Sequence, residues 1–305
     1  MTQPLISVIV PNYNYAQYLD QRMESILSQT YQNYEVIILD DKSTDNSLEV
    51  IEKYRSHPKV VKVIISEVNS GSPFKQWEKG IREAKGDIIW IAESDDYCAP
   101  TLLERLVLEF EKHSDLVLSF STSRIMDETG VLGDLIQSYK IRKDIVSEGL
   151  DFVKRYLYWD NVIYNASSAL FKKDVALNIN GDYTTFKASG DWLFWICICR
   201  RGRISMVNEG LNYFRKHTIN ITEKAKCNGI QQIENKRVLD YLISKKMIGW
   251  WEILKLRNFN CYRFSYFINF DDEDTKHRVL DAWHFSSWYY IIAYVRHLLH
   301  NFRNA

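Results

Sequence analysis

Disulfide chemistry finds little support in this sequence, whose five cysteines, Cys98, Cys197, Cys199, Cys227 and Cys261, are odd in number, scattered and without metal-ligand spacing. Cys197 and Cys199 fall within the apolar run Trp192 to Cys199, where a small buried hydrophobe is the expected role. A reducing compartment suits such usage. No secretory leader is expected either, because the chain enters an apolar segment almost at once, without a basic region or small-residue cleavage site. No apolar run approaches the ~18 residues needed to span a bilayer. Excess charge is also missing: 39 Lys plus Arg balance 39 Asp plus Glu, which removes a general nucleic-acid partner and leaves only a local anion site. The glycine signatures of nicotinamide-binding and P-loop enzymes are absent too.

What is present is an alternation of apolar segments. Leu5 to Val10 is a β-branched run that stops at Pro11-Asn12-Tyr13-Asn14, a buried strand feeding a turn. Leu19, Met23, Ile26 and Leu27 then recur at helical spacing before a second strand, Tyr34 to Leu39, which ends in Asp40-Asp41. The order repeats: Ser43 to Asp45 as a cap for a helix through Tyr54, a strand from Val60 to Ser66, a helix from Pro73 to Lys85, and a strand from Asp87 to Ala92. Such alternation predicts an α/β fold with a mainly parallel open sheet and helices on both faces. Beyond it we expect a helix from Pro100 to about His113, strands at Leu116 to Phe120, Ser167 to Phe171, Ile204 to Val207 and Leu211 to Phe214, and a helix from Asp191 to Arg200. Residues from about 225 onward read as an appended helical region, with Val238, Leu239, Leu242 and Ile243 on one face, after a catalytic domain over 1–224 that divides near residue 100.

In open α/β sheets ligands bind beyond the carboxyl ends of the strands. The polar residues fall at those ends: Asn12 and Tyr13, Asp40 and Asp41, Asn69 to Gly71, and Glu93-Ser94-Asp95-Asp96. The last group has two readings, a solvated acidic turn capping the next helix or a seat for Mg²⁺ or Mn²⁺, which carboxylate oxygens suit and which also bridge phosphates. Asp40 and Asp41 likewise serve either a capping turn or the imide and ribose of a nucleotide, with Tyr13 placed to stack on a base.

The runs Val8 to Asn14, Leu39 to Asp45, Asn69-Ser70-Gly71, and Ala84 to Asp87 with Glu93 to Asp96 resemble, in order and spacing, the family 2 glycosyltransferases of GT-A fold. The resemblance implies a nucleotide-sugar donor, UDP-sugar first, with Pro11, Tyr13 and Asp41 at the base, Asp95 near the ribose and Asp96 as metal ligand. One departure is Gln76-Trp77-Glu78-Lys79-Gly80, where many members carry Ala-Arg-Asn. Another is Gly190 before Asp191: the family has a Glu-Asp pair there, whose aspartate is the catalytic base. Asp191 is read as that base, or as a carboxylate complementing a helix dipole. Displacement at an anomeric carbon needs one base for the acceptor hydroxyl and no general acid opposite a diphosphate, and it inverts the centre; a glycosidase instead needs a carboxyl pair.

His217, in Tyr213 to Asn220, resembles the family's late Tyr-Arg-x-His element and reads as a further metal ligand or as a surface histidine. Arg215 and Lys216 either meet the diphosphate or are solvated. Trp159, Tyr164, Trp192 and Trp195 are candidates for a sugar site or for the core. From Gln231 to Phe270 seven basic side chains stand against three acidic ones, and Ser287 to Arg303 holds Trp288, Tyr289, Ile291 and Leu298 with no acid. That pattern suits a membrane interface, or else a helical cap or oligomer contact. The expected protein is an inverting hexosyltransferase acting on a saccharide acceptor, free or lipid-linked, for surface polysaccharide such as O-antigen, in the cytoplasm or on the inner face of the membrane. The other reading keeps the fold as a non-catalytic nucleotide- or glycan-binding subunit.

Overall fold

A computed structural model describes residues 3–136, 141–217 and 225–304. Thr218 to Asn220 of the late motif, and the side chains of Phe302 and Arg303, lie outside what is described. Among the described residues ten strands form one sheet: β1 (Ile6–Asn12), β2 (Tyr34–Asp40), β3 (Val60–Ile65), β4 (Ile88–Ile91), β5 (Tyr97–Cys98), β6 (Leu116–Met126), β7 (Leu132–Leu135), β8 (Ile145–Glu148), β9 (Ala169–Lys172) and β10 (Arg203–Arg215). The order is β3-β2-β1-β4-β9-β6-β10-β5, with β7 on β6 and β8 on β10. Strands β3, β2, β1 and β4 pair in parallel, as do β6 and β10, and β9 runs antiparallel between the two groups.

Side chains alternate across this sheet with the period of two that a strand imposes. Val8, Val10, Val36, Ile38 and Trp90 face one layer, where they meet α1 (Ala16–Leu27), α2 (Ser47–Tyr54) and, after α3, the helix α4 (Leu102–Lys112). Ile9, Ile37, Leu39, Ile89 and Ile91 face the other, packing on α3 (Pro73–Glu83) and α7 (Gly190–Cys199). Two short helices precede α7: α5 (Gly149–Phe152), which runs on as a π-helical turn over Val153–Leu157, and α6 (Lys173–Leu177). Helix α7 is buried on all sides from Trp192 to Cys199, which accounts for its lack of a polar face.

Among the described residues four long helices follow: α8 (Ile230–Ser244), α9 (Trp250–Tyr266), α10 (Glu273–Trp283) and α11 (Ser287–Asn304). Val238, Leu239, Leu242, Leu256, Phe264, Val279 and Trp283 belong to the same apolar cluster as Ile9, Trp77 and Phe194, so α8 to α10 close the second layer.

Three expectations are corrected. The second helix begins at Ser47, because Ser43 is spent on the turn before it. The segments at 204–207 and 211–214 are one strand, since the long β6 templates both sides of two bulges around Gly210, where a Cβ would lie 2.5 Å from Leu135. Ile243 is exposed while its three neighbours on the expected face are buried.

Candidate active site

The parallel register carries β1 and β2 to a common exit, with Asn12 opposite Asp40. Asn12 Nδ2 donates to Asp40 Oδ2 at 2.8 Å, and the backbone N–H and hydroxyl of Ser43 donate to the same carboxylate. The turn this builds holds Asn14 and Lys42 in the left-handed region, at φ 57° and 66°. Asp45 accepts from the Ala16 N–H and the Ser47 N–H, so one carboxylate serves the starts of both α1 and α2.

Asp41 is buried, and its oxygens accept from the Ser70 N–H, the Ser70 hydroxyl (2.7 Å) and Gln76 Nε2 (2.6 Å). Tyr13 is 45% exposed at the rim. Pro11 is buried in β1, and its carbonyl accepts from the Ser94 hydroxyl, binding the acidic loop to the first strand.

The acidic loop is clamped at both ends by Ser167, whose hydroxyl accepts from the Glu93 N–H (3.0 Å) and donates to Asp96 Oδ2 (2.6 Å). Strand β5 pairs with β10 immediately after the loop, which delivers Arg215 and His217 to the carboxylates about 120 residues earlier. Asp96 is buried, and its second oxygen accepts from the Arg215 N–H. Asp95 is more open and lies 2.8 Å from His217 Nε2. Glu93 accepts from Trp77 Nε1 at 2.8 Å.

Burial, then repulsion from Asp95 and Asp96, pushes the Glu93 carboxyl up to about 8. Burial and the Asp95 charge raise Asp96 as well. The hydrogen bond to Asp95 raises His217. Opposing this crowd is Arg22, fully buried in α1 with its guanidinium 4.9 Å over the Trp90 ring and, among the described residues, no hydrogen-bond acceptor at its three nitrogens. Arg215 is not a solvated cation. It is buried, it binds the carbonyls of Asp95, Asp127 and Glu128 and the side chain of Gln21, and its guanidinium lies 4.4 Å over Tyr18. Lys216 is exposed.

Among the described residues no three of His, Cys, Asp and Glu converge as a ready-made metal set. Asp95 nonetheless offers a carboxylate, a donor that suits Mn²⁺ or Mg²⁺ with phosphate oxygens completing the shell, and the His217 imidazole stands beside it as a nitrogen donor. The residues present fit a cation shared with a bound diphosphate.

Asp191 stands in the first turn of α7. Phe74 of α3 presses on Gly190, where a Cβ would sit 2.6 Å from the Phe74 ring and 2.7 Å from the Tyr183 carbonyl. That contact explains why glycine stands where a glutamate was expected. A carboxylate reaches the helix start from elsewhere: Glu234 of α8 accepts the N–H groups of Lys187, Ala188 and Ser189 at 2.7 to 2.8 Å. Asp191 Oδ2 accepts from Asn161 Nδ2 at 2.8 Å. Enclosure pushes its carboxyl up to about 7 against the pull of the helix-start amides and Asn161, with Glu234 adding to the rise.

Asp41, Asp95, Asp96 and His217 are therefore brought to the strand ends, and α3 touches both the acidic loop, through Trp77 on Glu93, and the start of α7, through Phe74 on Gly190. Trp195 is fully buried among Trp77, Phe171 and Phe194 and belongs to the core, whereas Trp159 and Tyr164 are over a third exposed. Sequence reasoning missed Gln76, Trp77, Asn161, Ser167 and Glu234. For Gln76 and Trp77 the departure from Ala-Arg-Asn was the available signal.

The model of glycosyl transferase family 2 matches residues 7–177, more than half of the chain. An uncharacterized glycosyltransferase of Haemophilus influenzae is 28% identical over 247 residues, 78% of this chain and 75% of its own. The poly(ribitol-phosphate) β-N-acetylglucosaminyltransferase TarS of Staphylococcus aureus is 37% identical over 115 residues, 37% of this chain and 20% of that one. The crystal structure of TarS 1-349 in complex with UDP-GlcNAc superposes with a TM-score of 0.70 at 21% identity, covering 91% of this chain and 80% of that one. The mannosyltransferase PcManGT from Pyrobaculum calidifontis, in complex with GDP-Man and Mn²⁺, superposes with a TM-score of 0.60 at 16% identity, covering 98% and 81%. At these identities the structural likeness speaks to the fold, which is GT-A.

Proposed function

We propose that this chain, which belongs to glycosyl transferase family 2 and is a glycosyltransferase, moves a hexose from a UDP-sugar to a hydroxyl of a saccharide acceptor with inversion. The observation that carries this reading is an acidic loop at the strand ends, held by Ser167 and facing His217, that α3 links to the start of α7 and so to Asp191, with Trp77 on Glu93 and Phe74 against Gly190. In the step itself the acceptor oxygen attacks the anomeric carbon, the bond from that carbon to the diphosphate breaks, and the hydroxyl proton passes to Asp191. Tyr13 stacks on the base beside Pro11, and Asp41, fixed by Ser70 and Gln76, borders it. The solved complexes of similar fold, holding UDP-GlcNAc in one and GDP-Man with Mn²⁺ in the other, support a nucleotide-sugar donor and a divalent metal.

For the two neighbouring aspartates we reverse the sequence expectation. Both Asp96 oxygens are engaged inside the protein, whereas Asp95 is more open and meets His217, so Asp95 and His217 are assigned the metal and Asp96 the anchoring of the loop. A divalent cation held there supplies positive charge to the departing diphosphate. Titration calorimetry with UDP and Mn²⁺ tests this: Asp95→Asn is expected to weaken Mn²⁺-dependent UDP binding ~10-fold or more, by about 1.4 kcal/mol per decade. Wild-type affinity in that variant would remove the assignment.

We place the chain on an anionic membrane surface, in surface polysaccharide synthesis. Helix α11 exposes Ile291, Tyr294, Val295 and Leu299 together, with Arg296 on the same helix and no acidic residue along it. No helix of the described residues is long and apolar enough to cross a membrane. Flotation with phosphatidylglycerol vesicles should carry the wild-type chain and several-fold less of the Ile291→Glu, Leu299→Glu double variant. Equal flotation of the two would end the idea.

A further inference from the structure

A cavity of about 800 Å³ lies between the segment from Arg155 to Tyr164 and helices α8, α9 and α10. That volume falls within the ~300–1,000 Å³ typical of small-molecule sites. Its walls are aromatic. Trp159 stands 38% exposed and meets Phe259 of α9 with ring centroids 4.9 Å apart. Arg263, 5.4 Å over the Phe259 ring, and Asn260 bring polar groups to the same wall.

The cavity abuts the base from two directions. Trp192, the residue after Asp191, lines it with its indole N–H fixed on the Leu157 carbonyl. Asn161, which holds Asp191, follows Trp159 and Asp160 along the chain. Asn235 of α8 also lines it and accepts from the Ser189 hydroxyl just ahead of α7. The match to the family model ends at residue 177, so Asn235, Phe259, Asn260 and Arg263, all on the C-terminal helices, lie outside it.

We propose that this cavity is an oligosaccharide subsite, holding the acceptor residue next to the one that is glycosylated, with a pyranose face stacked on Trp159 and its hydroxyls met by Asn260 and Arg263. Aromatic faces bind the C–H faces of sugar rings, and a few convergent polar groups orient them. The site rests on the reading of Asp191 as the base, since adjacency to that residue is what makes its occupant an acceptor. It gives α8 to α10 a part in substrate recognition as well as in packing.

The test uses the full chain, fluorescently labelled, on an array of immobilised oligosaccharides of two to six residues, with UDP affinity measured in parallel. Wild type is expected to be retained by a subset of glycans, with retention lost at least 10-fold in Trp159→Ala and in Phe259→Leu while UDP affinity stays unchanged. Because the Trp159 side chain is partly exposed, its loss disturbs packing little, and unchanged UDP affinity reports an intact fold in both variants; Phe259→Leu keeps an apolar side chain, of smaller volume, and removes the ring. Wild-type retention in both variants, or no retention of the wild type by any glycan, overturns the proposal. If UDP fails to bind but retention still depends on Trp159, the donor reading falls and the glycan site stands.

Discussion

With Asp191 replaced by Asn, transfer is expected to fall at least ~10²-fold while UDP affinity stays within about twofold of wild type. Asn keeps the shape and can still accept from Asn161, so the loss isolates proton removal from packing. The pH profile sharpens the expectation. Only the ionised carboxylate can take the hydroxyl proton, and enclosure holds that group at about 7. In wild type kcat/KM should therefore climb about tenfold per pH unit below that value and level off above it. The residual rate of the variant should lack this limb. Stability runs the other way. The folded pKa lies above the ordinary 3.8, so ionising Asp191 opposes folding: no penalty below about pH 4, a growing one between 4 and 7, and the whole of it above 7. The Asn variant should melt higher than wild type above pH 7 and match it below about pH 4. Thermal melts and initial rates across pH check both halves; full transfer activity in the variant rejects Asp191 as the base.

The second large effect is expected far along the chain, at Glu234. Its carboxylate is buried and takes three backbone N–H groups leading into α7. Glu234→Ala strands those donors at a cost of about 2–4 kcal/mol, a sizeable part of the ~5–15 kcal/mol that holds a domain folded. It also frees the loop that aims Asp191. The expected result is a melting temperature lower by several degrees and a kcat reduced ~10-fold or more, with UDP affinity retained because Tyr13, Asp41 and Asp95 lie elsewhere. Glu234→Gln, which keeps one acceptor oxygen, should recover part of both losses. Unchanged melting and turnover in the alanine variant would show that the three hydrogen bonds are dispensable.

These two residues mark how far the sequence could be read. Asp191 could be placed at a helix start from the apolar run after it, but its role as base came from the resemblance to family 2 glycosyltransferases. The same holds for Asp41, Asp95 and Asp96, each placed by the apolar strand before it. Glu234 was not legible. It reaches residues 45 to 47 positions earlier, and that distance is closed only by how α8 lies on α7, which periodicity does not encode. Of the two readings of Arg215 the solvated one fails for a related reason: a basic loop looks solvated until the β5–β10 pairing buries it against Asp95 and Asp127. Gly190 was legible as a departure, but its cause, the Phe74 ring, becomes visible only in the packed structure.

One short stretch of backbone joins both halves of the chemistry. Asn161 holds Asp191, and Ser167 holds Asp96 and the head of the acidic loop. Six residues of fully extended chain reach at most ~21 Å, and this stretch bends through a helical turn at Ala166–Ser168. It works as a ruler. The separation of Asn161 and Ser167, and with it that of the two carboxylates they hold, is bounded by a covalent tether.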